Sequence, residues 1–336
     1  MCWKITALVG VLAALLVTST LAAKTDALPS WNDGVSKQVI VEFVESVTDK
    51  THASYVPPHR RIATFDNDGT LWPSHPMYAQ LAFAMDRIKA LAPRHPEWQT
   101  KQPFKAVLDN DLEALAAAGE HGLVELVMAS HAGMSTAEFE AIATDWLARA
   151  RHPRFKRPYT ELAYQPMLEL LEYFRANGFK TYIVSGGGIE FMRPMTQKVY
   201  GIPPEQVVGS SIKTKYEHRD GKPVLMRLPE INFNDDKDGK PIAINQFIGA
   251  RPIAAFGNSA GDREMLEWTG AGTGPRLMML VFHDDAMREY AYGPANGLPD
   301  TKFGAFPQSL MDEAKTKGWV VISMKNEWAR IFAFDK

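Results

Sequence analysis

The sequence predicts an α/β fold, and three observations predict it. Apolar runs of strand length recur at Ile62–Phe65, Phe179–Val184, Pro252–Phe256 and Leu277–Phe282. Each run stops abruptly in glycine or short polar residues, as strands entering turns do. The segments between them carry apolar residues at helical spacing. With 336 residues, 46% hydrophobic and 23% charged, the chain has an ordinary globular composition and is long enough for one large domain or two. A net charge of −2, with no alternating basic and aromatic stretch, leaves no electrostatic reason to expect nucleic acid as a partner.

Met1–Ala23 reads as a signal peptide. Lys4 supplies a positive start, Ile5–Val17 an apolar run, and Thr18–Ala23 a small-residue end suited to cleavage after Ala22 or Ala23. The run is short for a bilayer span, so a removed leader is favoured over a retained anchor, with no stable membrane span left afterwards. An exported protein, periplasmic or extracellular, is the expectation. Its only cysteine, Cys2, leaves with the leader, so the mature protein relies on its core rather than on disulfides.

Leu28–Gly34 reads as an exposed lead-in, and Val35–Asp49 as a helix with a stripe at Val35, Ile40, Phe43, Val44 and Val47. Pro57-Pro58 ends anything helical before the stretch Arg61–Trp72, RIATFDNDGTLW. There a buried strand ends on two acids, Asp66 and Asp68. Gly69 follows as a breaker and Thr70 supplies a hydroxyl. At the carboxyl end of a parallel strand such residues face the crevice where open α/β sheets bind ligands. Two acids facing one pocket repel each other and ask for a cation or a shared proton. A turn without catalytic role is the bland alternative. An EF-hand is excluded by position, because Gly69 is fourth after a strand rather than sixth after a helix.

Residues 73–158 are rich in Ala and Leu, with stripes such as Leu81, Met85, Ile88 and Leu91, and read as four or five helices with no strand. The return passes through Arg149, Arg151, Arg154, Lys156 and Arg157, either a solvated basic linker or a site for an anionic substrate tail. Gln165–Asn177 is a helix stopped by Gly178. The strand Phe179–Val184 then runs into Ser185-Gly186-Gly187-Gly188, whose unobstructed backbone N–H groups, opening a helix, suit a phosphate. Val207–Leu228 reads as two strands about a turn at Asp220-Gly221. The loop Asn232–Lys240, NFNDDKDGK, is polar, and a lysine in it such as Lys237 or Lys240 is ordinarily solvated. Its Asn234, Asp236 and Asp238 have calcium-loop spacing, but Asn245 stands where the loop's last acid belongs. The strand Pro252–Phe256 leads into Gly257-Asn258-Ser259-Ala260-Gly261-Asp262. Leu277–Phe282 leads into His283-Asp284-Asp285, which either line the cleft mouth or cap the next helix. Trp319–Met324 reads as a last strand and Asn326–Ala333 as a closing helix.

FDNDGTLW resembles the first motif of the haloacid dehalogenase superfamily, and VSGGG the second motif as found in its phosphoserine phosphatase relatives. A lysine opening the helix before the last catalytic strand is the third, placed best at Lys240 with Lys237 in reserve. GNSAGD is similar to the fourth, usually Gly-Asp-x-x-x-Asp, with Asn258 at the first acid position and Asp262 at the second. The resemblance implies a doubly wound, mostly parallel Rossmann-like core over residues 30–75 and 159–336, with an inserted all-helical cap domain over 76–158. It implies a magnesium-dependent phosphatase acting on a small phosphate monoester. Asp66 would be the nucleophile, Asp68 the general acid and base, and Ser185 and Lys240 would hold the phosphoryl group beside Thr70, Gly186 and Gly187. Asp66, the main-chain oxygen of Asp68, Asp262 and Asn258 would hold the ion. In phosphoserine phosphatases a Glu nine residues after the nucleophile recognises the substrate ammonium. His75 occupies that place here and argues against phosphoserine. Asp68 argues against a dehalogenase, whose halide leaves without a proton. Asn67 and Asp68 depart from the Lys and Thr of the superfamily's phosphotransfer ATPases. A binding protein without catalysis is the remaining alternative, encouraged by Asn258 and Ala260.

Overall fold

The computed structural model describes residues 26–335, so the expected leader at 1–23 lies outside the described residues. Among the described residues no helix is long and apolar enough to cross a membrane. Seven strands form one sheet: β1 (Ile62–Phe65), β2 (Lys180–Gly188), β3 (Val207–Arg219), β4 (Lys222–Phe233), β5 (Ala254–Gly257), β6 (Leu277–Phe282) and β7 (Val320–Ser323). Their order is β4-β3-β2-β1-β5-β6-β7. Only the β3–β4 pair is antiparallel. The chain leaves β1 towards β2 and β3, then returns to the other side of β1 with β5, β6 and β7. That reversal puts a crevice at the carboxyl ends of β1 and β5.

The helices in chain order are α1 (Val35–Thr48), α2 (Ala79–Leu91), α3 (Phe104–Asp109), α4 (Leu112–Ala117), α5 (Gly119–His131), α6 (Thr136–Arg149), α7 (Gln165–Ala176), α8 (Ile189–Tyr200), α9 (Gly239–Ala243), α10 (Arg263–Gly270), α11 (Gln308–Lys317) and α12 (Met324–Glu327). Successive strand residues alternate between two apolar layers, as the pleat requires. Phe65, Ile183, Phe256 and Val281 join α1 and α7 on one face. Val184, Ala255 and Leu280 join α9, α10 and α11 on the other. Phe65 and Phe256 are register partners whose rings stack at 4.6 Å. Burying each ring contributes roughly 2–3 kcal/mol, so this pair holds the two site-bearing strands together.

Six helices, α2 to α7, separate β1 from β2 among the described residues. The first four share an apolar core of their own, with Leu81, Ile88, Trp98, Phe104 and Leu126. The face of α6 at Phe139, Ala143 and Leu147 instead joins the main core.

Two expectations at the termini are corrected. The lead-in Leu28–Gly34 is not exposed throughout: Leu28, Ser30 and Trp31 are buried. The Trp31 Nε1–H donates to the Pro166 carbonyl at 2.9 Å, and its ring meets Trp328 edge-on. Asn326–Ala333 is not a helix, since only the single turn Met324–Glu327 forms. Trp328 pairs with Trp31 and Phe332 with Tyr164 as isolated bridges. Arg288 donates to the carbonyls of Met324, Lys325, Trp328 and Ala329, replacing the bonds a helix would have made. The basic return segment is exposed, yet Arg154 lies over the Tyr290 ring and Arg157 over Phe334, so it clamps the tail.

Candidate active site

Three strand ends supply the site. β1 delivers Asp66 and Asp68, β2 delivers Ser185 to Gly188, and β5 delivers Asn258 to Asp262. Lys240 reaches them from the first turn of α9. Its Nζ donates to Asp66 Oδ1 at 2.7 Å, to Asp262 Oδ1 at 2.7 Å and to the Val184 carbonyl at 2.9 Å. Lys240 is 1% exposed, so this is a buried ion cluster with all three ammonium protons used. Lys237, the reserve candidate, is exposed and adopts a left-handed backbone (φ +52°) in the loop before α9.

Asp262 is committed to this arrangement. Its Oδ1 takes the lysine, and its Oδ2 accepts from the N–H groups of Asn258 and Ser259 at 2.9 and 3.0 Å. The Ser259 hydroxyl also donates to Oδ2 at 3.2 Å, so the fold holds this carboxylate in one orientation at the site. Gly257 must be glycine for this, because a Cβ there would lie 2.4 Å from Asp262 Cβ. Thr70 is buried and donates its hydroxyl to Asn258 Oδ1 at 3.1 Å, so it braces Asn258. Gly69 turns the chain with φ +86°, and a Cβ there would strike the Asn258 amide at 2.2 Å. These bonds bring the first and fourth motifs into contact.

Burial pushes Asp66 up to about 7, with repulsion from Asp262 adding to it and Lys240 opposing it. Asp68 is pushed up to about 6 by burial, against hydrogen bonds from Trp72 and Asn67. The Trp72 Nε1–H donates to Asp68 Oδ1 at 3.0 Å. Burial alone would lower Lys240, but Asp262 and Asp66 overcome it and hold the ammonium above its ordinary value. Ser185 is buried beside them, and its hydroxyl accepts from the Gly187 N–H at 3.2 Å. A Cβ on Gly187 would lie 3.6 Å from Asp68 Oδ2, which places the glycine strand end against the acid pair. The glycines extend β2 rather than the helix, and α8 begins only at Ile189.

The residues present fit a hard divalent cation. Acid groups outnumber the lysine they share, and Asp66 Oδ2 makes no hydrogen bond among the described residues. Among the described residues no three acidic, histidine or cysteine side chains converge by themselves. A coordination shell here needs main-chain and amide oxygens too, as hard cations accept. Asn258 is 1% exposed, and its amide packs against the Gly69 turn that follows Asp68. Asp66, the main-chain oxygen of Asp68, Asp262 and the Asn258 amide oxygen are the donors that would hold it.

His75 stands apart from this cluster. Its Nε2 is shared by Thr301 Oγ1 at 3.0 Å and the Phe303 carbonyl at 3.2 Å, and its ring lies 3.7 Å from the Tyr292 ring centre. Three groups that do belong to the site were not assigned from sequence. His283 Nε2 donates to the Gly69 carbonyl at 2.7 Å while Nδ1 faces Glu289 Oε2 at 3.1 Å, so the end of β6 braces the Asp68–Gly69 turn. Its position after a strand was the only signal, and nothing in the sequence pointed to Glu289. Tyr200 donates its hydroxyl to Asn67 Oδ1 at 3.0 Å.

Asp235 is the third. It is fully buried, and neither oxygen has a well-formed hydrogen bond among the described residues. Burial pushes it up to about 8, against the pull of Lys240 and with Asp66 adding repulsion. The calcium-like spacing around it drew attention to Asn234, Asp236 and Asp238 instead. Between an unfolded value of about 4 and the folded value, the native state holds a proton that the unfolded chain has lost. Stability contributed by this group is therefore present at low pH and lost as pH rises through about 8. Asp235→Asn is expected to flatten that fall and to exceed the wild type by about 1–3 kcal/mol above the folded value. Urea unfolding across this range in the presence of a chelator measures it, and parallel profiles would mean that Asp235 is ionised in the native state.

A family model described as haloacid dehalogenase-like hydrolase matches residues 63–267, from β1 to α10. A search of curated proteins finds no match. Among solved structures, a functionally unknown protein from Anaerococcus prevotii is 16% identical, covering 74% of this chain and 86% of that one, with a TM-score of 0.49. A protein of unknown function from Bordetella pertussis is 19% identical over 79% of this chain and 99% of that one, with a TM-score of 0.48. A phosphoserine phosphohydrolase-like protein from Francisella tularensis is 14% identical over 79% and 97%, with a TM-score of 0.40. The family match takes in more than half of the sequence and every strand end that builds the Lys240 cluster, and this chain belongs to the haloacid dehalogenase-like hydrolase family.

Proposed function

We propose that this hydrolase cleaves small phosphate monoesters through an aspartyl phosphate on Asp66, with magnesium as cofactor. The observation that carries the reading is Lys240 held at 2.7 Å from both Asp66 and Asp262, with Asp68 and the glycine end of β2 alongside. The helical segment between β1 and β2 acts as the cap over this site.

An oxygen of Asp66 attacks phosphorus, a P–O bond forms, and the bond to the leaving oxygen breaks. Asp68, protonated at neutral pH in a fraction set by its raised value of about 6, gives its proton to that oxygen. Asp68 then takes a proton from water as the water attacks phosphorus, releasing phosphate and restoring Asp66. Ser185, the Gly186 N–H after it and the Lys240 ammonium offset the charge of the phosphoryl oxygens, while the Gly187 and Gly188 N–H groups are held by Ser185 and Gln80. Magnesium, when bound, supplies positive charge where these oxygens crowd the carboxylates. Trp72 keeps the Asp68 carboxyl aimed, and His283 keeps its turn in place.

Phosphate release from 4-nitrophenyl phosphate, with magnesium and with a chelator, tests the reading. Turnover with magnesium and its loss on chelation are the expected results. No release under either condition would leave a phospho-ligand-binding protein instead.

A further inference from the structure

Beside the glycine end of β2 lies a half-open cavity of about 210 Å³, lined by α5, the start of α8 and the β3–β4 pair. Its walls are mainly apolar, with Leu123, Val127 and Met128 from α5, Phe191 from α8, and Ile212 and Ile231 from the strands. Gly186 and Gly188 form its rim. Between them, a Cβ on Gly187 would lie 3.4 Å from Ser185 Oγ and 3.6 Å from Asp68 Oδ2. The cavity therefore begins at the two glycines that flank Gly187, the residue facing Asp68. Gln80 stands at this boundary, its Oε1 accepting from the Gly188 N–H at 2.6 Å and its Nε2 meeting His131 Nε2 at 3.1 Å.

The charges in the wall are already spent. Arg227 is 4% exposed, forms an ion pair with Glu190, donates from Nε to the His131 carbonyl at 2.7 Å, and lies 3.9 Å over the Phe139 ring. Burial pushes His131 down to about 3, so its ring is neutral, and Ser130 occupies its Nδ1. A carboxylate or second phosphate entering here meets no free cation among the lining residues, and an ammonium meets no free carboxylate. Burying either charge unpaired is strongly unfavourable. An apolar cavity of about 150 Å³ already takes a benzene ring, so the volume is sufficient for one.

We infer that this cavity receives the leaving group of the substrate and selects an uncharged, apolar one, an aryl-alkyl or branched alkyl phosphate monoester. The inference rests on the phosphatase reading and specifies its substrate class. Continuity with the Gly186–Gly188 strand end makes the substrate's own leaving group the occupant.

The test compares alkyl phosphates of similar leaving-group basicity: 2-phenylethyl phosphate, methyl phosphate, O-phosphoserine and glycerol phosphate. For the wild type, kcat/KM for 2-phenylethyl phosphate is expected to exceed those for phosphoserine and glycerol phosphate by about 100-fold. Val127→Trp, which fills the cavity, is expected to lower the ratio of 2-phenylethyl to methyl phosphate by about tenfold. A second measurement needs no variant: benzylphosphonate is expected to inhibit the wild type about tenfold more tightly than methylphosphonate. Turnover of all four esters with no preference for the aromatic one, or equal inhibition by the two phosphonates, overturns the inference and leaves the phosphatase reading standing. No turnover of any ester overturns the phosphatase reading itself.

Discussion

Asp66→Asn is expected to lower phosphate release by about four to six orders of magnitude, because an amide cannot form the covalent intermediate and nothing nearby replaces it. The fold is expected to survive. Asn keeps the size of the side chain and an oxygen for the Lys240 contact made at 2.7 Å. Losing one carboxylate also leaves Lys240 and Asp262 as a balanced pair and removes the repulsion that helps push Asp66 up to about 7. Thermal midpoint and phosphate release measured together separate the two effects. Wild-type turnover from a folded variant would place the nucleophile elsewhere.

Lys240→Met is expected to remove activity and also to cost about 3–5 kcal/mol of stability, because it breaks a buried ion cluster from one side. Asp66 and Asp262 would face each other with no counter-ion, and the Val184 carbonyl would lose its donor. Lys240→Arg is no rescue, since a planar guanidinium does not fit three converging acceptors around a 1%-exposed point charge. Adding Asp262→Asn to Lys240→Met is expected to restore part of the stability and none of the activity. Urea unfolding and phosphate release on the single and double variants check both halves. A Lys240→Met protein as stable as the wild type would show the cluster to be dispensable for folding.

The parts of this protein legible in the sequence were those set by local physics. Ile62–Phe65 is a strand because a short apolar run followed by Asp and Gly has few other options, and the chain order of the site segments follows from where such runs end. The helical character of residues 73–158 was legible for the same reason, as was the Asp220-Gly221 turn, where both residues take positive φ. The sequence also singled out Asp66, Asp68, Ser185, Lys240 and Asp262.

Tertiary structure decided what those side chains do for one another. Asp262 stands out in the sequence by its place in a motif, and the fold joins it to Lys240 and to two backbone N–H groups. Thr70 supports Asn258, and His75 is held by Thr301 and Phe303. Asn326–Ala333, expected as a helix, lies against the core instead, with Trp328 and Phe332 buried and Arg288 satisfying the carbonyls. Asp235 and Glu289 became part of the site only through burial beside it. Local periodicity sets which backbone conformation a segment adopts, whereas a buried charge or hydrogen bond is settled by partners tens to hundreds of residues away, such as Lys240 with Asp66 at a separation of 174 and His283 with Gly69 at 214.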